Sequence, residues 1–83
     1  MIKIYSTSWC GPCAAAKALL KTKGIAFEEI DIEAEGMSRN DLANLTGGGT
    51  VPQIVINGKC IGGYDSLIQL NQSGDLDRMT KDA

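Results

Sequence analysis

The chain has no histidine, and its 83 residues include one tryptophan, one phenylalanine, two tyrosines and two prolines. Without an imidazole there is no Ser-His or Cys-His nucleophilic pair and no histidine metal ligand. Its three cysteines fall short of a tetrahedral zinc site unless a carboxylate or a second subunit contributes. A disulfide framework fits poorly too, since an odd cysteine is left over. Positive charge is not in excess: eight Lys and Arg stand against ten Asp and Glu, a net charge of −2, with no basic stripe or tail. Nucleic acid and anionic membrane are therefore not expected as partners. Uninterrupted apolar runs never exceed four residues, Cys13 to Ala16, so no segment is expected to span a bilayer. The opening "MIKIYS" leads directly into a strand-like segment. We therefore expect no export signal, and a reducing cytoplasmic setting in which a permanent disulfide staple would not be kept. What is present is ordinary for a soluble domain: 43% apolar and 22% charged residues, at a length that gives one small domain over 1–83.

Residues 2–5 read as a short buried strand, and the segment after Cys10 as the clearest helix in the chain. Pro12 suits a first helical turn, where a missing N–H costs nothing. Ala14 to Leu20 are mostly strong helix formers, Lys21 and Lys23 fall in the last turn, and Gly24 suits the position just past the end. "IAFEEIDI" follows as a second strand, alternating cleanly only from Glu29 to Ile32. Strand, helix and strand together make a βαβ unit. Ser38 with Asp41 three residues on is a variant capping box. It opens a short helix carrying Leu42 and Leu45, stopped by Gly47-Gly48-Gly49. In "PQIVINGKCI" the pair Asn57-Gly58 signals a hairpin with a type I′ turn. A last helix begins after Gly62-Gly63, with Tyr64, Leu67 and Ile68 on one face, and ends at Gly74. The tail from Asp75 is expected to pack loosely or fray. The order is β-α-β-α-β-β-α with a mixed sheet.

In that frame Cys10 lies at the end of the first strand and immediately before the first helix. Unpaired N–H groups and the positive end of the helix dipole favour thiolate over thiol there, which lowers a cysteine pKa. Cys13 sits one turn further in, close enough to form a small ring with Cys10 and more enclosed. Cys10 is suited to attack and Cys13 to resolve the mixed disulfide that results. So small a ring constrains the unfolded chain little and would make a poor staple. A C-x-x-C beside a βαβ unit in a cytosolic chain reads as a redox centre, with half a zinc site or an incidental pair as the lesser alternatives. Cys60, after the hairpin turn, reads as a small buried hydrophobe.

"WCGPC" after the first strand, "GGTVPQIVING" in the hairpin and "IGGYDSL" at the last helix together resemble the glutaredoxins of the thioredoxin superfamily, over nearly the whole chain. The resemblance implies a thioredoxin-like fold, a four-stranded mixed sheet flanked by three helices, with Pro52 in cis and facing the cysteine pair. It implies that the Val51 backbone pairs with an extended, peptide-like substrate, as members do with the cysteinyl part of glutathione. It also implies a glutathione site formed by Thr50, Val51, Pro52, Tyr64 and Asp65. Free N–H groups at the start of the last helix would take the γ-glutamyl carboxylate, and Asp65 its ammonium. Asp65 as a plain helix cap is the alternative. The chain departs from the family in carrying Gly11-Pro12 where Pro-Tyr is usual, Thr7 and Ser8 where a lysine is frequent, and Ser66 where a second aspartate is common. Each departure removes a contact and implies a weaker hold on glutathione. Trp9 reads either as an apolar contact beside Cys10 in partial compensation or as ordinary packing.

The expected activity is glutathione-dependent thiol–disulfide exchange on protein disulfides and protein–glutathione mixed disulfides, with Cys10 and Cys13 catalytic, glutathione as co-substrate, no metal, and a monomeric protein. Gly11-Pro12 keeps open a second possibility, a small electron donor reduced by a thioredoxin reductase, with ribonucleotide reductase as a possible recipient. A third is a carrier of a 2Fe–2S cluster between two glutathione-bound subunits, held through Cys10.

Overall fold

The computed structural model describes residues 2–81. Strand β1 (Ile2–Ser6) leads into helix α1 (Gly11–Thr22), which returns to β2 (Glu28–Asp31). Helix α2 (Arg39–Thr46) follows, then the hairpin β3 (Gln53–Ile56) and β4 (Lys59–Gly62), helix α3 (Tyr64–Ser73) and helix α4 (Asp75–Lys81). The sheet order is β2-β1-β3-β4, with β1 and β2 parallel and the other two pairs antiparallel. This is the expected four-stranded mixed sheet, and the βαβ unit occupies its first half.

Alternation along β1 divides the core. Ile2 and Ile4 join Ala16 and Leu20 of α1, Ile54 and Ile56 of β3, Leu67 of α3 and Leu76 of α4, all at 0–1% exposure. Tyr5 turns to the other face, where Ile32 and Leu42 of α2 form a smaller cluster. Three helices cover one side of the sheet and one covers the other.

Local chemistry explains where the elements end. The second strand starts at Glu28 rather than Ile25 because Ile25 still belongs to the end of α1. Its N–H donates to Leu20 O at 2.9 Å, and that of Gly24 donates to Lys21 O at 3.1 Å. These are the two bonds of a Schellman motif, and the side chains of Ile25 and Phe27 then pack on the main core. The hairpin turn is as expected, with φ of 52° at Asn57 and 84° at Gly58. The Ser38–Asp41 capping box is present with both of its hydrogen bonds.

The tail corrects an expectation. Instead of fraying, residues from Asp75 form α4, giving four helices rather than three. Leu76 is completely buried, and Met79, three residues on, packs beside it on the main core. Lys23 Nζ reaches both Asn71 Oδ1 at 2.7 Å and Asp77 Oδ1 at 2.9 Å, tying the end of α1 to α3 and α4. Two apolar residues in a charged heptad carry little periodic signal, but they suffice once a core is there to receive them.

Candidate functional site

The site forms where β1 gives way to α1. Cys10 is the N-cap of that helix, in extended backbone conformation, and its sulfur accepts the Cys13 N–H at 3.1 Å. Its own N–H donates to Thr7 O at 3.4 Å, closing the turn that delivers the chain into the helix. Cys10 and Cys13 are joined as a disulfide, with Cα atoms 5.2 Å apart. Cys10 keeps 8% of its surface and Cys13 none, so a reagent from outside meets Cys10. The hydrogen bond and the helix dipole both favour negative charge on the Cys10 sulfur once the pair is reduced.

Facing the pair is the loop that carries the chain from α2 into β3. The Val51–Pro52 peptide bond is cis, as the resemblance implied. Val51 O lies 3.7 Å from Cys10 Sγ, a contact between residues 41 apart in sequence. From there a groove of about 390 Å³ runs along Pro12, Thr50, Val51, Pro52, Gly63, Tyr64, Asp65 and Ser66. All five residues expected to hold glutathione thus line one groove, and Pro12 and Val51 connect it to the cysteines. A larger hollow of about 580 Å³ beside Gly24, Phe27 and Thr80 contains no cysteine. Size therefore does not mark the reactive end.

The floor of the groove is the start of α3. Its N-cap is Gly63, and no side chain caps the helix. Asp65 is the second residue of α3 and does not cap it. Among the described residues the Asp65 side chain has neither a hydrogen bond nor an ion pair, and it is exposed. A carboxylate is electrostatically at home in a first turn. Gly62 serves more than turn formation: its φ is +108°, and a Cβ there would come within 2.9 Å of Ser66 Oγ. A side chain would crowd the residue at the end of the groove.

Two residues that the sequence reading did not single out brace the loop. Gln53, at 6% exposure, donates from Nε2 to Thr50 O at 2.9 Å. Arg39 Nη1 donates to Gly49 O at 3.2 Å. A glutamine opening an otherwise apolar strand was the available signal for the first. Nothing local distinguished Arg39 from any other exposed arginine. The Cys60 thiol, half-buried rather than fully buried, lies 3.5 Å from Gln53 Oε1 and completes that small network. Of the positions that depart from the family, Ser8 is exposed, whereas Thr7 is 4% exposed with no hydrogen-bond partner for its hydroxyl among the described residues.

The Glutaredoxin family model matches residues 2–61. The chain belongs to the glutaredoxin family. It is 40% identical over 80 residues to Glutaredoxin 3 of Escherichia coli strain K12, covering 96% of each chain. To the Glutaredoxin of Pseudomonas aeruginosa it is 42% identical over 78 residues, covering 94% of this chain and 93% of that one. Among solved structures it is similar to a buckwheat glutaredoxin–glutathione complex, with a TM-score of 0.88 at 29% identity, covering 98% of this chain and 76% of that one. A Brucella melitensis glutaredoxin gives a TM-score of 0.79 at 40% identity, covering 96% and 87% respectively. The fold is thus the thioredoxin-like fold of glutaredoxins. The protein is a glutaredoxin-type thiol–disulfide oxidoreductase with a disulfide-forming cysteine pair. No described helix is long and apolar enough to cross a membrane.

Proposed function

We propose that this glutaredoxin reduces protein disulfides and protein–glutathione mixed disulfides at the expense of glutathione. The observation that carries the reading is the continuity of the groove. It joins the Cys10 side of the disulfide, the Thr50–Pro52 loop and the uncapped start of α3 on one surface. Glutathione is an extended tripeptide with a carboxylate and an ammonium at one end and a thiol in its middle. The α3 N–H groups suit that carboxylate, Asp65 suits the ammonium, and the Val51 backbone suits the cysteinyl segment. The buckwheat relative has been solved with glutathione bound.

In the reaction, the Cys10 thiolate attacks one sulfur of the substrate disulfide and expels the other as a thiolate. Cys13 loses its proton and attacks Cys10 Sγ, which releases the second substrate thiolate and leaves the Cys10–Cys13 disulfide. Two glutathione thiolates then reduce that disulfide in successive exchanges and leave as glutathione disulfide, two electrons having passed. Exposure supports the division of labour, since Cys10 is reachable and Cys13 is not.

The test is turnover of a small glutathione mixed disulfide, coupled to glutathione reductase and NADPH, for wild type, Cys10→Ser and Cys13→Ser. We expect robust wild-type turnover, none in Cys10→Ser, and partial retention in Cys13→Ser because glutathione itself can resolve the intermediate. Turnover persisting without the Cys10 thiol overturns the mechanism. NADPH oxidation supported by a thioredoxin reductase but not by glutathione overturns the choice of reductant.

A further inference from the structure

The backbone of Val51, which faces the cysteine pair, is oriented from beneath by a buried side chain. Thr50 O and the Val51 N–H belong to one planar peptide group. That peptide is trans, since the cis bond lies one residue on, between Val51 and Pro52. In a trans peptide the carbonyl and the N–H point in opposite directions. Whatever holds Thr50 O inside the protein therefore turns the Val51 N–H outward. Gln53 does so: its Nε2 donates to Thr50 O at 2.9 Å and to Thr50 Oγ1 at 3.4 Å, from a residue only 6% exposed. Among the described residues no acceptor takes the Val51 N–H, and Val51 lines the groove.

The amide is itself fixed on both sides. A carbonyl oxygen only accepts, so the end that meets Thr50 O is Nε2. Oε1 then faces the Cys60 thiol, whose sulfur lies 3.5 Å away. Gly48 leaves the amide its space: a Cβ at that position would stand 2.7 Å from Nε2, well inside van der Waals contact. A position that served packing alone would be filled as well by an apolar side chain of similar length, with no amide to satisfy. What the amide adds is the direction of one peptide plane.

We infer that Gln53 is a positioning residue for exchange with glutathionyl substrates: its amide aims the Val51 N–H at the groove, where a carbonyl of the substrate's cysteinyl segment accepts it. This rests on the reading that the groove holds glutathione. None of the Gln53 side-chain bonds reaches Cys10 or Cys13. The amide therefore governs how the peptide part of a substrate is seated and leaves the reactivity of the Cys10 sulfur as it is.

The experiment is a single-turnover reaction of pre-reduced protein, without free glutathione, with two disulfides of one coloured aromatic thiol. One joins that thiol to glutathione and the other is its symmetrical disulfide. In each case the Cys10 thiolate bonds one sulfur and expels the aromatic thiolate, leaving a Cys10–glutathione or a Cys10–aryl disulfide. Dividing each rate by that of dithiothreitol with the same disulfide removes intrinsic reactivity, and the ratio of the two quotients measures what the groove contributes. We expect a wild-type ratio well above one. In Gln53→Met the ratio should fall about five- to tenfold, the worth of one hydrogen bond, with the aromatic disulfide reacting at the wild-type rate. Gly48→Ala should lower it in the same way, because its methyl displaces the flexible end of Gln53 and little else. Gln53→Glu should lower it further, since a carboxylate oxygen cannot donate to Thr50 O. A ratio preserved in both Gln53→Met and Gly48→Ala overturns the inference. So does an equal loss on both disulfides, which would make Gln53 a brace of the whole site. Either result leaves the glutathione reading standing, whereas a wild-type ratio of one overturns that reading and the inference with it.

Discussion

At the start of α2, Ser38 Oγ accepts the Asp41 N–H at 3.0 Å and the Asp41 carboxylate accepts the Ser38 N–H at 3.1 Å. At the start of α3, Gly63 supplies no side chain, and Asp65 leaves the first-turn donors without a cap of this kind. Both helices begin with unpaired N–H groups, as every helix does. In α2 the helix's own cap takes up the Asp41 N–H; in α3 no side chain caps the first turn, which opens on a groove. The start of α1 is a third solution, because the capping atom is the sulfur of Cys10. A helix that caps itself is secured, whereas one left open keeps donors for a ligand at some cost in local stability.

Predictions that sharpen this contrast fall in order of size. Asp65→Asn removes the charge proposed to meet the glutathione ammonium, and a hydrogen bond to a charged group contributes about 1.5–3 kcal/mol. The KM for glutathione should therefore rise between roughly tenfold and a hundredfold. Stability should fall by no more than the roughly 0.3–1 kcal/mol of a first-turn charge, because Asp65 caps nothing. Steady-state kinetics and thermal unfolding on one preparation check both halves; a fall in Tm without a change in KM would make Asp65 a structural residue.

Gly63→Ser gives α3 the kind of cap that α2 already has. The backbone there is extended, and a Cβ would meet only Pro52 O at 3.4 Å, so the substitution fits. Stability should gain a few tenths of a kcal/mol, and the KM for glutathione should rise up to about tenfold as one or more donors are occupied. Unchanged glutathione kinetics in a stabilised variant would show that the open donors serve no ligand.

Ser38→Ala does the converse at α2. Loss of the cap should lower stability by about 1 kcal/mol, or a Tm drop of about 4–8 °C for a domain of this size, with the glutathione KM at its wild-type value. Urea unfolding monitored by circular dichroism would read the stability.

The smallest effect belongs to Glu29. Its Oε2 accepts Lys17 Nζ at 2.6 Å and the buried Ser6 Oγ at 2.9 Å, linking α1 to β1 and β2. The hydrogen bond from Lys17, then that from Ser6, holds its carboxyl below the ordinary value of 4.5. Since the folded-state value is the lower one, this stabilisation is present above about pH 4.5 and is lost as pH falls through the folded-state value. Lys17 and Glu29 side chains are 24% and 42% exposed, so solvent screening limits the pair to about 1 kcal/mol or less. Glu29→Gln should be less stable than wild type by that amount at pH 7, and the difference should shrink as pH falls below 4.5, as measured by urea unfolding across pH.

What could be read in the sequence was the chemistry closed within a few residues. The Cys10–Cys13 spacing at a strand-to-helix junction, the Asn57-Gly58 turn, the Ser38–Asp41 box and the stop at Gly24 each depend on neighbours along the chain, and each is found as expected. The groove residues were named through resemblance, which carries tertiary information that spacing alone does not. The start of β2 was misplaced by three residues because an apolar Ile25 serves a helix end as well as it serves a strand. Helix α4 was missed because Leu76 acquires its value only from the core formed by β1, α1 and α3.

By itself, then, the sequence determined a redox-active cysteine pair capping a helix, together with the turns and caps that delimit its elements, because these are short-range hydrogen-bonding and backbone preferences. Only the tertiary structure decided that Val51 comes to 3.7 Å from Cys10, that Gln53 and Arg39 brace the loop behind it, and that Asp65 has no side-chain partner among the described residues beside an uncapped helix. Those facts depend on which strands pair and which faces are buried together. They are set by the packing of residues tens of positions apart, and no local preference encodes them.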